Sequence, residues 1–167
     1  MAELILREDH GHVARLVLNS AQNFNALSLE MIAALEAAFD QIAKDLTIRA
    51  VIVAANGKAF SAGHDLRQMQ ASRADADQGR AAFDRLFARC AQMMQMIPAL
   101  PQPVIAEVQG IATAAGCQMV ASCDLAVAAE LVRSGALVAS GAGSTASCLR
   151  SSASPQSVKG PSLGEMP

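Results

Sequence analysis

The sequence predicts a mixed α/β fold in which buried strands alternate with helices. Three short runs are apolar and rich in β-branched residues, and the segments between them repeat apolar residues at helical spacing. Two turns made of small residues also lie directly between a strand and a helix. Strands without polar alternation are typical of sheets covered on both faces. We therefore expect one layered domain.

The composition fits a domain with a sizeable hydrophobic core. The chain has 167 residues, of which 52% are hydrophobic, and chains of this size bury most of their apolar surface. A net charge of −2 without a basic cluster, and the absence of Trp and Tyr, argue against a nucleic-acid partner. No window approaches the ~20 apolar residues of a membrane span, and no leader-like segment opens the chain. We expect a cytosolic protein with no membrane partner.

The four cysteines are predicted to be reduced, buried apolar residues. They form no CxxC pair, and no histidine lies at zinc-ligand spacing from them. No metal site is therefore expected at Cys90, Cys117, Cys123 and Cys148.

The first third of the chain predicts a hairpin and a helix. Residues 3–8 and 12–18 alternate apolar and polar side chains around the turn-like Asp9–Gly11, which indicates two half-buried strands. Ser28 is a predicted helix N-cap. The apolar residues that follow recur at helical spacing: Ile32, Leu35, Phe39 and Ile42.

The middle of the chain predicts a buried strand and a long helix. The strand runs from Ile48 to Ala54, and the polar residues 67–80 are expected to be mobile. We expect Pro98, Pro101 and Pro103 to end the long helix and to impose an extended approach to the strand VIAEV. Its methionines fit either an adaptable binding pocket or, as we favour, the core: Met93, Met94 and Met96.

The two small-residue turns are the central functional candidates. The first lies in Lys58–Met69, where Ala62 and Gly63 allow the backbone to approach a ligand, and the second is Gln109–Gln118. Amides in such turns lack ladder partners. If the turns meet, two N–H groups can point at one oxygen and stabilise an oxyanion.

Three segments resemble the signatures of the crotonase, or enoyl-CoA hydratase/isomerase, superfamily. These are NFNALS at residues 23–28, FSAGHDL, and GIATAAGCQMVASCDLAVAA, in family order and spacing. The resemblance covers roughly residues 3–130. It implies the crotonase-like spiral of ββα units, here C-terminally truncated.

The resemblance implies an acyl-CoA thioester as the ligand. The backbone amides of His64 and Ala115 would polarise its carbonyl group, and no cofactor is needed because coenzyme A is part of the substrate. It further implies a homo-oligomer, a trimer or a dimer of trimers. The implied contacts with the substrate or its coenzyme A are Ala26, Ala62, Gly63, Asp65, Leu66 and Gly116.

Proton transfer is the open question, because hydration also needs an acid and a base. The resemblance places the family's two catalytic glutamates at Gln118 and near Val138. The His64 imidazole could act instead or only bond locally, and Glu107 and Asp124 are expected to be structural. Asp65 is expected to cap a helix. The resemblance thus implies a 2-enoyl-CoA hydratase or, alternatively, a non-catalytic acyl-CoA-binding or assembly protein.

The character of the sequence changes near residue 131. Residues 1–130 contain five serines, whereas residues 131–167 contain nine, and the latter show no apolar periodicity. We expect residues 1–130 to form the crotonase-like domain and residues 131–167 to be a low-complexity, disordered or aberrant tail. A shifted reading frame or truncated gene after Glu130 would explain it, and a natural short form is the alternative.

Overall fold

The computed structural model describes residues 3–129 and the backbone of residues 137 and 138. The strands in this part are β1 (Ile5–His10), β2 (Val13–Leu18), β3 (Ala50–Ala55), β4 (Ala59–Ser61), β5 (Val104–Val108), β6 (Ile111–Thr113), β7 (Leu125–Ala128) and β8 (Leu137–Val138). The helices are α1 (Leu29–Lys44), α2 (Leu66–Ser72), α3 (Arg80–Ala99) and α4 (Ala115–Ser122).

The strands form two sheets. The five-stranded sheet has the order β1-β2-β3-β5-β7, and the three-stranded sheet has the order β4-β6-β8. From β3 onward, successive strands alternate between the sheets, and all their pairings are parallel. The helices α2 and α3 follow the strands β3 and β4, and the helix α4 follows β5 and β6. This arrangement is the predicted spiral of ββα units.

The N-terminal hairpin is confirmed, with a small shift in its turn. β1 and β2 pair antiparallel from Ile5 opposite Leu18 to His10 opposite Val13. The turn therefore consists of Gly11 and His12 rather than of residues 9–11. Gly11 has a φ of 61°, a conformation that costs glycine little.

Helices α1 and α3 supply the core beside the larger sheet. The Ser28 hydroxyl accepts a 3.2 Å hydrogen bond from the Met31 amide, so the predicted cap is confirmed. The buried residues of α1 are Met31, Ile32, Leu35, Phe39 and Ile42. Those of α3 are Leu86, Cys90, Met93, Met94 and Ile97, which confirms the core interpretation of two of its methionines.

Two predictions concern the segments on either side of α3. α3 ends at Ala99, between Pro98 and Pro101, so the predicted end of the helix among the prolines is confirmed. Pro98 has no amide hydrogen to donate, and the Leu100 amide closes the helix on the Ile97 carbonyl at 3.3 Å. α2 occupies most of the first half of the polar stretch 67–80, and the mobility of this stretch stays a prediction.

The predicted tail, residues 131–167, lies outside the described residues apart from the backbone of β8. Within the described part of the chain, none of the helices is both long enough and apolar enough to cross a lipid bilayer.

The stability of the fold in acid provides a test of the hydrogen bonds made by Asp45, the residue that follows α1. The Asp45 carboxylate accepts hydrogen bonds from the Thr47 hydroxyl (2.6 Å) and the Arg7 guanidinium (2.8 Å), which lower its pKa to about 2. Its ordinary pKa is 3.8, so its contribution to stability is complete above that value and is lost as the pH falls toward 2. Asp45→Asn should remove this part of the acid dependence, measured by urea midpoints from pH 5 to pH 2. An unchanged slope in the variant would contradict this explanation.

Candidate active site

The parallel pair β4–β6 brings the two small-residue turns together. Ser61 pairs with Ala112, so the turns that follow the two strands leave the sheet side by side. The Thr113 hydroxyl then donates a 3.1 Å hydrogen bond to the Ala62 carbonyl. Sequence patterns did not reveal these strands, because each has only three residues within a stretch rich in small residues.

Gly63 lies so close to the second turn that a side chain would not fit. A Cβ atom at this position would be 2.9 Å from the Ala114 Cβ and 3.2 Å from the Ala115 nitrogen. The φ of Gly63 is 84°, which also disfavours any residue with a Cβ. The first turn therefore contacts the first residue of α4 through bare backbone.

The amides of His64 and Ala115 have no hydrogen-bond acceptor in the described part of the chain. Leu27 and His64 form an isolated parallel bridge, in which Leu27 bonds to the residues before and after His64. The Leu27 amide donates to the Gly63 carbonyl at 2.7 Å, and the Asp65 amide donates to the Leu27 carbonyl at 3.4 Å. In parallel pairing the amide of the central residue points away from its partner strand. Ala115 is the first residue of α4, where amides lack helical acceptors.

Ala114 holds the strained backbone that precedes α4. Its φ of 48° and ψ of −123° are unusual for a residue with a side chain. Strain of this kind costs about 1 to 3 kcal/mol and is concentrated at functional sites. It sets the direction of the Ala115 amide, which also lies at the positive end of the α4 dipole. Nothing in an alanine-rich segment signals this conformation.

A buried polar network supports the first turn from below. The Asn25 side chain accepts a 2.8 Å hydrogen bond from the Ser20 amide and donates to the Asn56 and Ala59 carbonyls at 2.9 Å each. The Ser61 hydroxyl donates to the Asn25 carbonyl at 2.9 Å. Sequence analysis assigned neither side chain a role. No sequence pattern marked either residue; in the structure Asn25 has a φ of 51°, a conformation that asparagine tolerates.

The side chain of His64 packs beside this site against α3. Its ring meets the Phe87 ring edge to face, with centroids 5.0 Å apart and an interplanar angle of 85°. Burial lowers the pKa of His64, so the neutral form is favoured near pH 7. The Nε2 atom is buried and has no hydrogen-bond partner within the described residues.

Of the other predicted contact residues, two line a cavity and two are exposed. Ala26 and Asp65 line a cavity of about 270 Å³, whereas Ala62 and Leu66 are exposed, Leu66 to 74%. The Asp65 carboxylate also accepts hydrogen bonds from the first amides of α2, which confirms it as a helix cap. The polar residues around the cavity are Ser20, Asn23, Ser28, Glu30, Asp65 and Gln68.

The two positions that the resemblance assigns to proton transfer lie near the second turn. Gln118 is exposed on α4. Its backbone amide donates a 3.2 Å hydrogen bond to the Ala114 carbonyl, so Gln118 lies one helical turn after the second small-residue turn. The pairing of Thr113 with Val138 places the backbone of residue 138 beside the same turn. Neither glutamine nor valine has a side chain that titrates.

The two carboxylates considered as substitutes have structural partners. Glu107 pairs with Arg15 across the larger sheet at 3.1 Å. The Asp124 carboxylate accepts a 2.7 Å hydrogen bond from the Val104 amide, at the start of β5. Both were expected to be structural, and these contacts agree with that expectation.

The chain is similar to known proteins over most of its described length. The family described as enoyl-CoA hydratase/isomerase matches residues 8–149. Over 113 residues the chain is 44% identical to the enoyl-CoA hydratase domain-containing protein 3, mitochondrial, of Xenopus laevis, with 68% of this chain and 36% of that protein covered. The Homo sapiens protein of the same name is 40% identical over 105 residues, with coverages of 63% and 33%.

Solved structures agree with these relatives. An enoyl-CoA hydratase from Mycobacterium smegmatis superposes with a TM-score of 0.69 at 55% identity, covering 75% of this chain and 47% of that one. Human enoyl-CoA hydratase domain-containing protein 3 gives a TM-score of 0.70 at 36% identity, covering 77% and 49%. This chain thus spans less than half the length of these proteins. It belongs to the enoyl-CoA hydratase/isomerase family.

Proposed function

We propose that the chain binds an acyl-CoA thioester and holds its carbonyl oxygen between the backbone amides of His64 and Ala115. The contact of the two turns supports this proposal, because Gly63, the residue before His64, lies against the Ala115 amide, and neither amide has an acceptor in the described part of the chain. Such a pair stabilises the negative charge that develops when the thioester becomes an enolate. Loss of one oxyanion donor costs an enzyme about 3 to 4 kcal/mol of transition-state stabilisation.

The reaction we propose is the reversible hydration of a 2-enoyl-CoA in fatty-acid metabolism. Membership of the family supports this choice, as do relatives named enoyl-CoA hydratase. Coenzyme A would enter as part of the substrate, so no separate cofactor is required. The backbone contacts that we propose for the substrate are those of Ala26, Ala62, Gly63, Asp65, Leu66 and Gly116.

The alternative is a protein that binds acyl-CoA without turning it over. Gln118 and Val138 favour it, because neither can exchange a proton at neutral pH at the positions where the family uses glutamates. Loss of a general acid or base costs roughly 10²- to 10⁴-fold in rate. Binding and turnover therefore have to be measured separately.

Replacing Gly63 with valine is expected to abolish acyl-CoA binding, because the side chain would fill the space beside the Ala115 amide. Calorimetric titration of the wild-type chain with butyryl-CoA and with S-butyl-CoA, a thioether without the carbonyl oxygen, measures how much the two amides contribute to the binding free energy. We expect the thioester to bind at least about tenfold more tightly, the effect of one good hydrogen bond. Equal affinities in the wild type would overturn the proposal.

Gly11→Val is the matched control for this substitution. Gly11 also has a positive φ, of 61°, but no atom lies within 4 Å of its Cβ position. It should lose stability through backbone strain and keep its affinity for butyryl-CoA. If both variants lose binding equally, general destabilisation explains the result.

Turnover is a separate measurement. Decay of the enone absorbance of crotonyl-CoA distinguishes a hydratase from a protein that only binds acyl-CoA.

Assembly and location are further proposals. The resemblance supports a homo-oligomer, a trimer or a dimer of trimers, which light scattering measures directly. The cytosolic location stays a prediction, and the vertebrate relatives carry the word mitochondrial in their names instead.

A further inference from the structure

The two outer strands of the larger sheet differ in their side chains. β1 and β7 lie at its edges, and neither pairs with a second strand in the described part of the chain. β1 carries Arg7, Glu8 and Asp9, and charged residues of this kind protect an edge against pairing with another chain. β7 has the sequence LAVA, which contains neither a charged residue nor a proline. Its edge therefore lacks the protection that β1 has.

The exposed side chains of β7 continue an apolar stripe to this edge. Leu125 is 61% exposed and Val127 is 59% exposed, although both belong to a strand. The register places Leu125 beside Ile105, and Ile105 beside Ile52, on the same face of the sheet. Large apolar side chains grouped at an exposed site mark an interaction surface.

The hydrogen-bonding groups at this edge include those of Ala126. The Ala129 amide donates to the Val108 carbonyl at 3.0 Å, and Val108 pairs with Ala128. Backbone groups of successive residues in a parallel strand point in alternating directions, so those of Val127 point toward β5 and those of Ala126 point away from it. Ala126 thus presents one N–H and one C=O group to an incoming strand.

The spiral predicts a further strand beside β7. Successive strands from β3 to β8 alternate between the two sheets, so the strand after β8 would pair with β7. The sequence of residues 139–167 contains no run of three apolar residues and predicts no such strand. β7 of a second copy has the apolar pattern and the free backbone groups that this position requires.

We propose that two copies of the chain pair antiparallel through their β7 strands, with a two-fold axis at Ala126. Each Ala126 then donates to and accepts from its counterpart, and Leu125 of each copy lies opposite Val127 of the other. The pairing closes after two copies, because each copy uses its one unprotected edge. It does not depend on acyl-CoA binding, and it is separate from the three-fold contact of the proposed trimer.

Sedimentation equilibrium of the full chain at several concentrations tests this pairing. We expect the mass of the wild type to double as the concentration rises. The double variant Leu125→Lys, Val127→Lys places lysines opposite each other twice and should keep half the wild-type mass. The double variant Leu125→Lys, Val127→Glu places each lysine opposite a glutamate and should restore the doubling, more weakly at high salt.

Leu46→Lys is the matched control, because Leu46 is 94% exposed but lies in the turn after α1, outside the sheet. It should associate as the wild type does. A wild-type mass that does not double, or a doubling that survives in the variant with two lysines, would overturn the inference. A variant with lysine and glutamate that is folded by circular dichroism but does not double would overturn the axis at Ala126. Acyl-CoA binding is not measured in any of these experiments, so their failure leaves the proposed function untouched.

Discussion

Asn25→Ala is expected to lower the free energy of unfolding by about 3 to 5 kcal/mol. The side chain is fully buried and makes three hydrogen bonds to backbone groups. Alanine leaves the Ser20 amide and the Asn56 carbonyl without partners, at about 1 to 3 kcal/mol for each buried one, and leaves the Ala59 carbonyl with only the Gln109 side chain at 3.3 Å. It also has to adopt a φ near 51°, which alanine disfavours. Urea denaturation followed by circular dichroism measures the loss.

Asn19→Ala is the control for this prediction. The Asn19 side chain also forms two hydrogen bonds, to the Glu3 carbonyl at 2.9 Å and from the Asn56 side chain at 3.1 Å, but both are exposed. Water can replace them, so a loss of less than about 1 kcal/mol is expected. If the two variants lose the same stability, the buried network is not what holds the first turn in place.

Gly116→Val is expected to cost about 3 kcal/mol of stability and to abolish acyl-CoA binding. A Cβ atom on Gly116 would lie 2.5 Å from the Ser61 carbonyl oxygen and 2.9 Å from the Ser61 Cβ, so α4 must move away from β4. That movement separates the two turns. Thermal denaturation and butyryl-CoA titration measure the two effects on the same sample.

The exposed residue Ala121 provides the control within the same helix. Ala121→Val carries the helix-propensity cost of valine, about 0.5 kcal/mol, without any clash. It should keep its affinity for butyryl-CoA. A Gly116→Val variant as stable as Ala121→Val would mean that α4 and β4 do not pack as closely as described.

Local patterns were enough to predict much of this fold. The hairpin follows from alternation of apolar and polar residues, and the start of α1 follows from Ser28 and the apolar residues spaced behind it. Both signals involve residues within one or two turns of each other, where steric preference and capping act directly. The two small-residue turns were likewise recognised from composition, with Gly63 in the first, whereas Ala115 was singled out by the family resemblance.

The features that escaped prediction depend on contacts between distant segments. β4 pairs with β6 about fifty residues further along the chain, and β6 also pairs with β8. Asn25 is important because its side chain reaches carbonyl groups more than thirty residues away.

The alternation of strands between two sheets has a consequence for cooperativity. Each unit of the spiral is joined to the next by two separate ladders, one in each sheet, and the units further away share none of these bonds. Stability in such a linear array is the sum of each unit and its interfaces with its neighbours. His64 follows β4 and Ala115 follows β6, so the two amides belong to adjacent units. A ligand held by both would therefore stabilise the interface between the two units, in addition to the two ladders that already join them.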